Sequence, residues 1–195
     1  MVTLYKVLDT DGRPFHGGTG TWHLPKGSRP GKWMPAIPDP IPCVRGYHVC
    51  DGPADVLHWL GPVIYEVEVR GTQIRHDCKT VAEQARLVRR VDGWNERTAW
   101  MFAADCAEAV LPIFERERPE DDRPRKAIEA ARAYARGEIG DAAKAAAGAA
   151  AWDAAGAADW AAGWDAGAAG WDAAGAAARA AQADLLGRYL TGELT

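Results

Sequence analysis

Two cysteines and a histidine lie within a single stretch of eight residues and form the sharpest chemical cluster in the sequence. Cys43, His48 and Cys50 offer two thiolates and an imidazole, which are preferred ligands of tetrahedral zinc. Cys78 or His76 could complete such a set. The Cys-x-x-Cys spacing of zinc ribbons is missing, however, and small cysteines beside a histidine are also what a buried strand contains. We predict no resident metal or cofactor, with zinc at Cys43, His48, Cys50 and Cys78 as the alternative.

Aromatic and cationic side chains alternate through the proline-rich segment that precedes this cluster. An indole exposed beside a cation can stack on a flat group or anchor a protein. Seven prolines between Arg13 and Cys43 favour a fixed path for this segment. The alternative is that Trp22 and Trp33 pack inward over a small sheet. Our candidates for a binding surface in this part of the chain are Trp22, Trp33, Arg45, Tyr47 and His48.

A glycine-rich stretch, residues 17–20, has some of the glycines of a phosphate-binding loop. It lacks the Gly-Lys-Ser/Thr ending that this motif needs to reach phosphate and magnesium. We therefore expect an ordinary flexible loop at this position.

These side chains need a small α+β framework, which the first part of the sequence predicts. Residues 2–8 have the β-branched and aromatic content of a strand and are followed by a turn at residues 9–12. Residues 47–50 fit a second short strand. A helix that opens at Asp51 or Pro53 should run through Trp59.

A third strand is predicted at residues 62–70, because apolar and polar residues alternate there with a period of two. Val63, Tyr65 and Val67 would share one face, while Glu66 and Glu68 would lie on the other. Residues 86–91 fit a further strand of the same sheet.

The composition changes near Asp92, and the rest of the chain is rich in helix formers. Beyond Asn95, apolar residues recur three and four positions apart, which is one face of a helix. Pro112 should kink or end that helix. Pro124 suits the first turn of the next helix, and Gly137 suits its end.

Ala-Ala-Gly triplets recur every seven residues in the alanine-rich tail and place Gly156, Gly163 and Gly170 on one helical stripe. Trp164 and Trp171 lie beside that stripe. Glycine costs about 1 kcal/mol relative to alanine in a helix, so we expect a neighbouring helix to approach closely. The neighbour would come from a helical hairpin within the chain or from a second copy. Low-complexity drift is the alternative.

Charged residues surround the turn between the two predicted helices. Arg123 and Arg125 lie near Glu115, Asp121 and Asp122. Ion pairs that fix the turn are one interpretation, and a charged recognition surface that includes both arginines is the other.

The helical part carries two stretches that resemble a known family. The stretch DCAEAVLPIFE at residues 105–115 and the stretch RPRKAIEAARAYARGEI at residues 123–139 are similar to an all-helical family of immunity proteins from bacteria and bacteriophages. The resemblance implies an all-α fold and a protein partner. It implies no particular chemistry.

Residues 2–75 resemble an amino-terminal domain of unknown function seen in bacteriophage proteins, through Cys43 and the motif GYHVC at residues 46–50. The same segment is more distantly similar to ADP-ribosyltransferase folds, which use NAD. That likeness implies that His16 would hold the nicotinamide ribose beside His48, with Glu66 or Glu68 as the catalytic carboxylate. The family's complete triad cannot be placed in this sequence.

The sequence therefore predicts an α+β protein with a mixed domain at residues 1–92 and an all-α domain at residues 93–195. A net charge of −4 argues against a nucleic-acid partner. There is no uninterrupted apolar run of membrane-spanning length and no secretion signal, so we expect a cytoplasmic protein with reduced cysteines. The favoured function is stoichiometric binding of another protein, in a phage or actinobacterial setting. An NAD-dependent transferase and a structural phage protein are the alternatives.

Overall fold

The computed structural model describes residues 3–140, 142–143, 145 and 168–195. Contacts group these residues into two compact units. The first comprises the chain up to Asn95 together with Ala183–Thr195, and the second is Glu96–Gln182. The first unit thus includes a segment that is remote in sequence and that composition alone assigned to the helical half.

Four antiparallel strands close into a small barrel in the first unit. They are β1 (Leu4–Leu8), β2 (Tyr47–Asp51), β3 (Val63–His76) and β4 (Lys79–Arg90). β1 pairs with β2 and β3, and β4 pairs with the same two strands. Closure leaves no free strand edge among them. The strands predicted near residues 2–8, 47–50 and 62–70 are confirmed, and the one predicted at residues 86–91 is the last part of β4.

The β3–β4 hairpin extends well beyond the predicted strands. β3 continues past Gly71, which has a φ of +76°, and the pairing shifts register between Arg70 and Gln73. The chain then turns at Asp77, also with positive φ, and returns as β4. Gly71 and the register shift after Arg70 are features at which a strand commonly ends, but pairing with β4 continues β3 through both of them.

The barrel core contains the apolar face that the alternation in β3 predicted. Val63, Tyr65 and Val67 pack there with Leu8 and Trp22. Val49, Ala85 and Leu87 complete the cluster. Trp22 is only 5% exposed, so it packs inward, as the alternative interpretation of the aromatic segment expected.

The predicted helix after β2 is confirmed as a short helix, α1 (Pro53–Val56), which continues as a 3-10 turn, Leu57–Trp59. Asp55 of α1 is buried, accepts the backbone N–H of Asp51 at 2.8 Å and pairs with both terminal nitrogens of Arg75. These bonds tie the helix to β2 and to the β3 end of the hairpin.

The last helix, α4 (Ala168–Leu190), contributes its end to the first unit. Leu186 and Tyr189 are buried. A Cβ on Gly93 would lie 2.3 Å from the carbonyl oxygen of Tyr189, so only glycine permits this approach. The segment after Gln182 therefore stabilises the barrel unit directly.

The second unit contains α2 (Glu96–Glu117) and α3 (Arg123–Ala135). Ala104 and Leu111 of α2 pack against Ile128 and Ala131 of α3. Pro112 lies inside α2, which runs to Glu117, so of the two effects predicted for this proline, a kink or an end, the helix end is wrong.

The predicted end of α3 is confirmed. Gly137 has a φ of +75°, and its N–H donates to the Tyr134 carbonyl at 2.8 Å, which closes the helix. The predicted hairpin and the stripe of Gly156 and Gly163 lie outside the described residues. With its barrel and helices the chain is a mixed α+β protein, and no helix in the described ranges is long and apolar enough to cross a membrane.

Candidate functional site

A cleft of about 850 Å³ opens in the first unit beside the barrel. It brings together several residues that the sequence singled out separately, because β2 and the segment at residues 14–23 form two of its walls. These are His16, Trp22, Arg45, Tyr47 and His48. Lys6 of β1, Trp59 of the 3-10 turn and Lys79 of β4 complete its chemical groups.

Lys6 is the least expected member of this cleft. It lies on β1 between Leu4 and Leu8, which both pack in the barrel cluster, so its side chain points to the same interior face. Its Nζ donates to the His48 carbonyl at 2.9 Å and lies 5.4 Å from the centre of the Trp22 ring. Burial lowers the pKa of Lys6 to about 8. Near neutral pH most of the Lys6 side chain is therefore the ammonium, and a minor fraction is the neutral amine.

His48 is held in its neutral form by its surroundings. Burial lowers its pKa, and the positive charges of Lys6 and Lys79 lower it further. Its Nε2 lies 3.0 Å from the backbone N–H of Cys43 and accepts that hydrogen bond, which fixes the ring orientation. Through this hydrogen bond, the neutral His48 ring fixes the position of the loop at residues 43–48.

The opposite wall combines Trp59, Lys79 and His16. The Lys79 Nζ lies 4.7 Å from the centre of the Trp59 ring, and the His16 ring meets the same indole edge-on at 5.6 Å. His16 Nε2 lies 2.8 Å from the carbonyl oxygens of Trp59 and Leu60, so it donates to this turn. The Trp59 ring thus contacts both of the other side chains.

The four residues of the zinc alternative do not form a ligand set. Cys43 is exposed, whereas Cys50 is buried, and burial raises the pKa of the Cys50 thiol to about 12. Within the part of the chain that the structure describes, no three histidine, cysteine or acidic side chains are grouped to hold a metal ion.

The two glutamates of the transferase alternative lie away from the cleft. Glu66 pairs with Arg89 and Glu68 with Arg86, on the β3–β4 face that points away from the barrel core. Trp33 lies over the same hairpin, with the guanidinium carbons of Arg70 and Arg86 4.1 and 4.8 Å from its ring centre. None of the described residues that line the cleft carries a carboxylate.

The two candidate arginines of the second unit form ion pairs at the turn between its helices. Arg123 pairs with Asp121, and Arg125 of α3 pairs with Glu115 of α2. Arg132 adds a further interhelical pair with Asp105 and Glu108. These contacts support the interpretation that ion pairs fix the turn, while both candidate side chains remain more than half exposed.

Sequence reasoning missed Lys6, Trp59 and Lys79. Leu4, Lys6 and Leu8 share a face of β1, but Tyr5 and Val7 make the other face apolar as well, so the alternation alone did not single out the lysine. Lys79 and Trp59 meet only through folding of the hairpin and the turn, so no local pattern could pair them.

Two known families match the sequence. Residues 91–183 match the family described as Imm-5 like putative immunity protein, and residues 22–97 match a domain of unknown function, DUF7666. The chain therefore has the predicted two-part architecture, with a domain of unknown function followed by an immunity-like domain. No curated protein and no solved structure matches the chain significantly.

Proposed function

We propose that this chain is an immunity-type protein of bacterial or phage origin that acts stoichiometrically in the cytoplasm by occupying another protein. The observation that carries this proposal is the match of residues 91–183 to the immunity-like family. A protein that acts by covering a surface of its partner requires a rigid scaffold and exposed anchors, and needs no reactive group.

The helix pair of the second unit supplies such a scaffold. Trp100 and Tyr134 pack edge to face across α2 and α3, with ring centres 5.4 Å apart. Arg132 links both helices through Asp105 and Glu108. Around this core, Arg123 and Arg125 present exposed guanidinium groups, and Ile113 is 39% exposed. Exposed arginines are typical anchors of a protein interface.

The position of the glutamates counts against the transferase alternative. A transferase of that type needs a carboxylate next to the bound nicotinamide ribose, whereas Glu66 and Glu68 are engaged with arginines outside the cleft lining. His16 and His48 do share the cleft, but the Nε2 atom of each ring is hydrogen-bonded to the backbone. Their arrangement fits a structural or ligand-holding role better than proton transfer.

The proposal is tested by co-expressing the chain with toxic effectors from the same genome, beginning with the products of neighbouring genes, and by measuring cell survival as the dose of the chain is varied. Stoichiometric action predicts that survival follows the ratio of the two proteins and that they co-purify as a complex of fixed composition. Arg123→Ala combined with Arg125→Ala should lower the affinity by about tenfold, the loss of about 1.4 kcal/mol typical of interface anchors. Arg136→Ala removes another exposed, paired arginine of the same unit and serves as the matched control.

His16→Ala, His48→Ala and Glu66→Ala should leave protection intact in folded protein. Protection at doses far below that of the effector would contradict stoichiometric action. Loss of protection in any of these three variants would move the function into the first unit. A chain that neither protects nor binds, yet co-assembles with phage particles, would instead support the structural role.

A further inference from the structure

The cleft of the first unit concentrates positive charge that no neighbouring carboxylate balances. Lys6 and Lys79 both line the cleft with His48, and the Lys6 ammonium donates to the His48 carbonyl at 2.9 Å. Neither lysine forms an ion pair with the described residues, in contrast to the arginines of the β3–β4 face. A site of one charge sign inside a cleft attracts ligands of the opposite sign.

Lys6 also has unused hydrogen-bonding capacity. Its ammonium carries three donors, and the described residues accept only one of them, at the His48 carbonyl. Burying a charged group is unfavourable unless its protons find partners. Because Lys6 lines the cleft, an anionic group that enters the cleft can accept the remaining protons.

Two aromatic rings offer a flat surface next to these cations. Tyr47 is held by a bond from its hydroxyl to the Pro35 carbonyl at 2.8 Å, and its ring packs edge to face on Trp22. The indole N–H of Trp59 donates to the Cys78 carbonyl. Both rings are therefore fixed in place, half-buried, and part of the cleft lining. Fixed aromatic walls with a few placed polar groups are typical of small-molecule sites.

The glycine-rich stretch at residues 17–20 gives the cleft an open backbone wall. Gly17, Gly18 and Gly20 all have positive φ, between 86° and 99°. A Cβ at Gly17 or Gly20 would meet nothing within 4 Å, so the space in front of this backbone is free. Backbone without side chains lets a ligand approach the N–H groups closely.

We propose that this cleft binds a small organic anion that carries a flat ring, with Lys6 and Lys79 holding the anionic group and Tyr47 and Trp59 contacting the ring. The cleft volume of about 850 Å³ lies in the range of small-molecule sites, which is on the order of 300–1,000 Å³. The anionic group is a phosphate ester or a carboxylate, since both accept hydrogen bonds from an ammonium. This ligand site belongs to the first unit and goes beyond the binding of a partner protein by the immunity-like domain.

The test is calorimetric titration of the full chain with two anions and their uncharged counterparts. AMP and adenosine test the phosphate source, and benzoate and benzamide test the carboxylate source. The proposal predicts that at least one anion binds about tenfold more tightly than its counterpart, and more tightly than inorganic phosphate. It also predicts weaker anion binding as the pH rises through about 8, because Lys6 then loses its charge.

Lys6→Met and Lys79→Met should each weaken binding of the anion by about tenfold, the usual effect of losing one charge-assisted hydrogen bond. Lys32→Met makes the same change at an exposed lysine that does not line the cleft and should bind as the unmodified chain does. Lys79→Met keeps the test valid if Lys6→Met does not fold. Equal binding of anion and counterpart, no binding of either anion, or full affinity in both cleft variants would overturn the proposal.

Discussion

On the β3–β4 face that points away from the barrel core, Glu66 and Glu68 each lie opposite an arginine, whereas in the cleft two lysines accompany a histidine and no carboxylate of the described residues lines it. Glu66 and Arg89 are direct partners in the strand register, as are Glu68 and Arg86. Lys6 and Lys79 instead contact aromatic rings and a backbone carbonyl. Both regions thus carry charged side chains, but those of the β3–β4 face are paired with the opposite charge, whereas the two lysines of the cleft form no ion pair with the described residues.

This contrast indicates that the pairing of a charged residue, more than its type, distinguishes the structural residues of the first unit from its candidate functional residues. Cross-strand ion pairs on a solvated face contribute little and need no further role. Cations left unpaired in a partly buried cleft reduce stability, so their presence calls for a compensating function. The candidate residues of the sequence therefore divide into a structural group on the hairpin and a ligand-facing group around His48.

The largest effect should come from the glycine that shapes the cleft at the start of β2. Gly46 has a φ of +118°, and a Cβ there would lie 2.5 Å from Val81 Cγ2 and 3.0 Å from Pro40 Cβ. Gly46→Ala should lower the free energy of unfolding by about 3 kcal/mol, measured by urea denaturation. Gly20→Ala is the control, because it also has positive φ but open space around it, and it should cost about 1 kcal/mol. Equal losses in both variants would mean that Val81 and Pro40 can move to accommodate a methyl group at position 46.

Asp55 is a buried charged residue with an ion-pair partner, Arg75, whereas Lys6 forms no ion pair with the described residues. Burial acts to raise the pKa of Asp55, but hydrogen bonds from Arg75 and the Asp51 N–H outweigh it, so the pKa is lowered overall. Asp55→Ala should lower the free energy of unfolding at pH 7 by about 2–3 kcal/mol. Because the folded-state pKa lies below the unfolded value, this contribution is present above about pH 4 and is lost as the pH falls.

Urea denaturation at pH 7 and pH 3 checks the Asp55 prediction, with Glu138→Ala as the exposed, paired control that should change stability by less than about 0.5 kcal/mol. A loss for Asp55→Ala that is unchanged at pH 3 would show that the Arg75 pair does not supply it.

Lys6→Met should have the opposite sign. The folded-state pKa of about 8 lies below the ordinary value of a lysine, so the unfolded chain binds the proton more strongly between these two values. Replacing the lysine should therefore raise the free energy of unfolding at pH 7, by about 2 kcal/mol. The gain should stay constant below pH 8 and shrink as the pH rises towards 10. Melting curves of both proteins at pH 7 and pH 9.5 measure it, and a destabilised variant at pH 7 would refute the description of Lys6 as an unpaired ammonium.

The smallest effect is expected on the paired face. Glu66→Gln and Glu68→Gln should each change the free energy of unfolding by less than about 0.5–1 kcal/mol and leave anion binding unaltered. A double-mutant cycle between Glu66 and Arg89 measures the pair directly. A coupling of several kcal/mol, or loss of anion binding in either variant, would erase the distinction between the two regions.

Local pattern was enough to place most elements but few of the contacts between them. The alternation of Val63, Tyr65 and Val67 predicted their shared face, and Gly137 predicted a helix end. By contrast, the sequence analysis assigned no element to Ala82 and Ala85, yet both are buried in β4, and Ala85 belongs to the barrel cluster. Their assignment depends on pairing with distant β2 and β3, which no local window contains.

For the candidate site too, the sequence identified several residues but not the contacts between them. His16, Tyr47 and His48 were singled out by type, and the structure brings all three to one cleft. Glu66 and Glu68 were assigned to the polar face of their strand, and Arg86 and Arg89 lay in the strand predicted at residues 86–91, but no local pattern fixes the register that pairs them. The burial of Leu186 and Tyr189 in the barrel unit likewise joins residues about a hundred positions apart, beyond the reach of periodicity.

The central claim is that the chain acts by binding, and the most direct test is a turnover assay of the full chain with NAD and cell lysate. Release of nicotinamide and transfer of label to protein or nucleic acid are measured together. Our account predicts no release beyond the background, even if NAD occupies the cleft, because no carboxylate lines it among the described residues. Release over many turnovers that disappears in folded His48→Ala or Glu66→Ala protein would contradict the account and identify the first unit as a transferase.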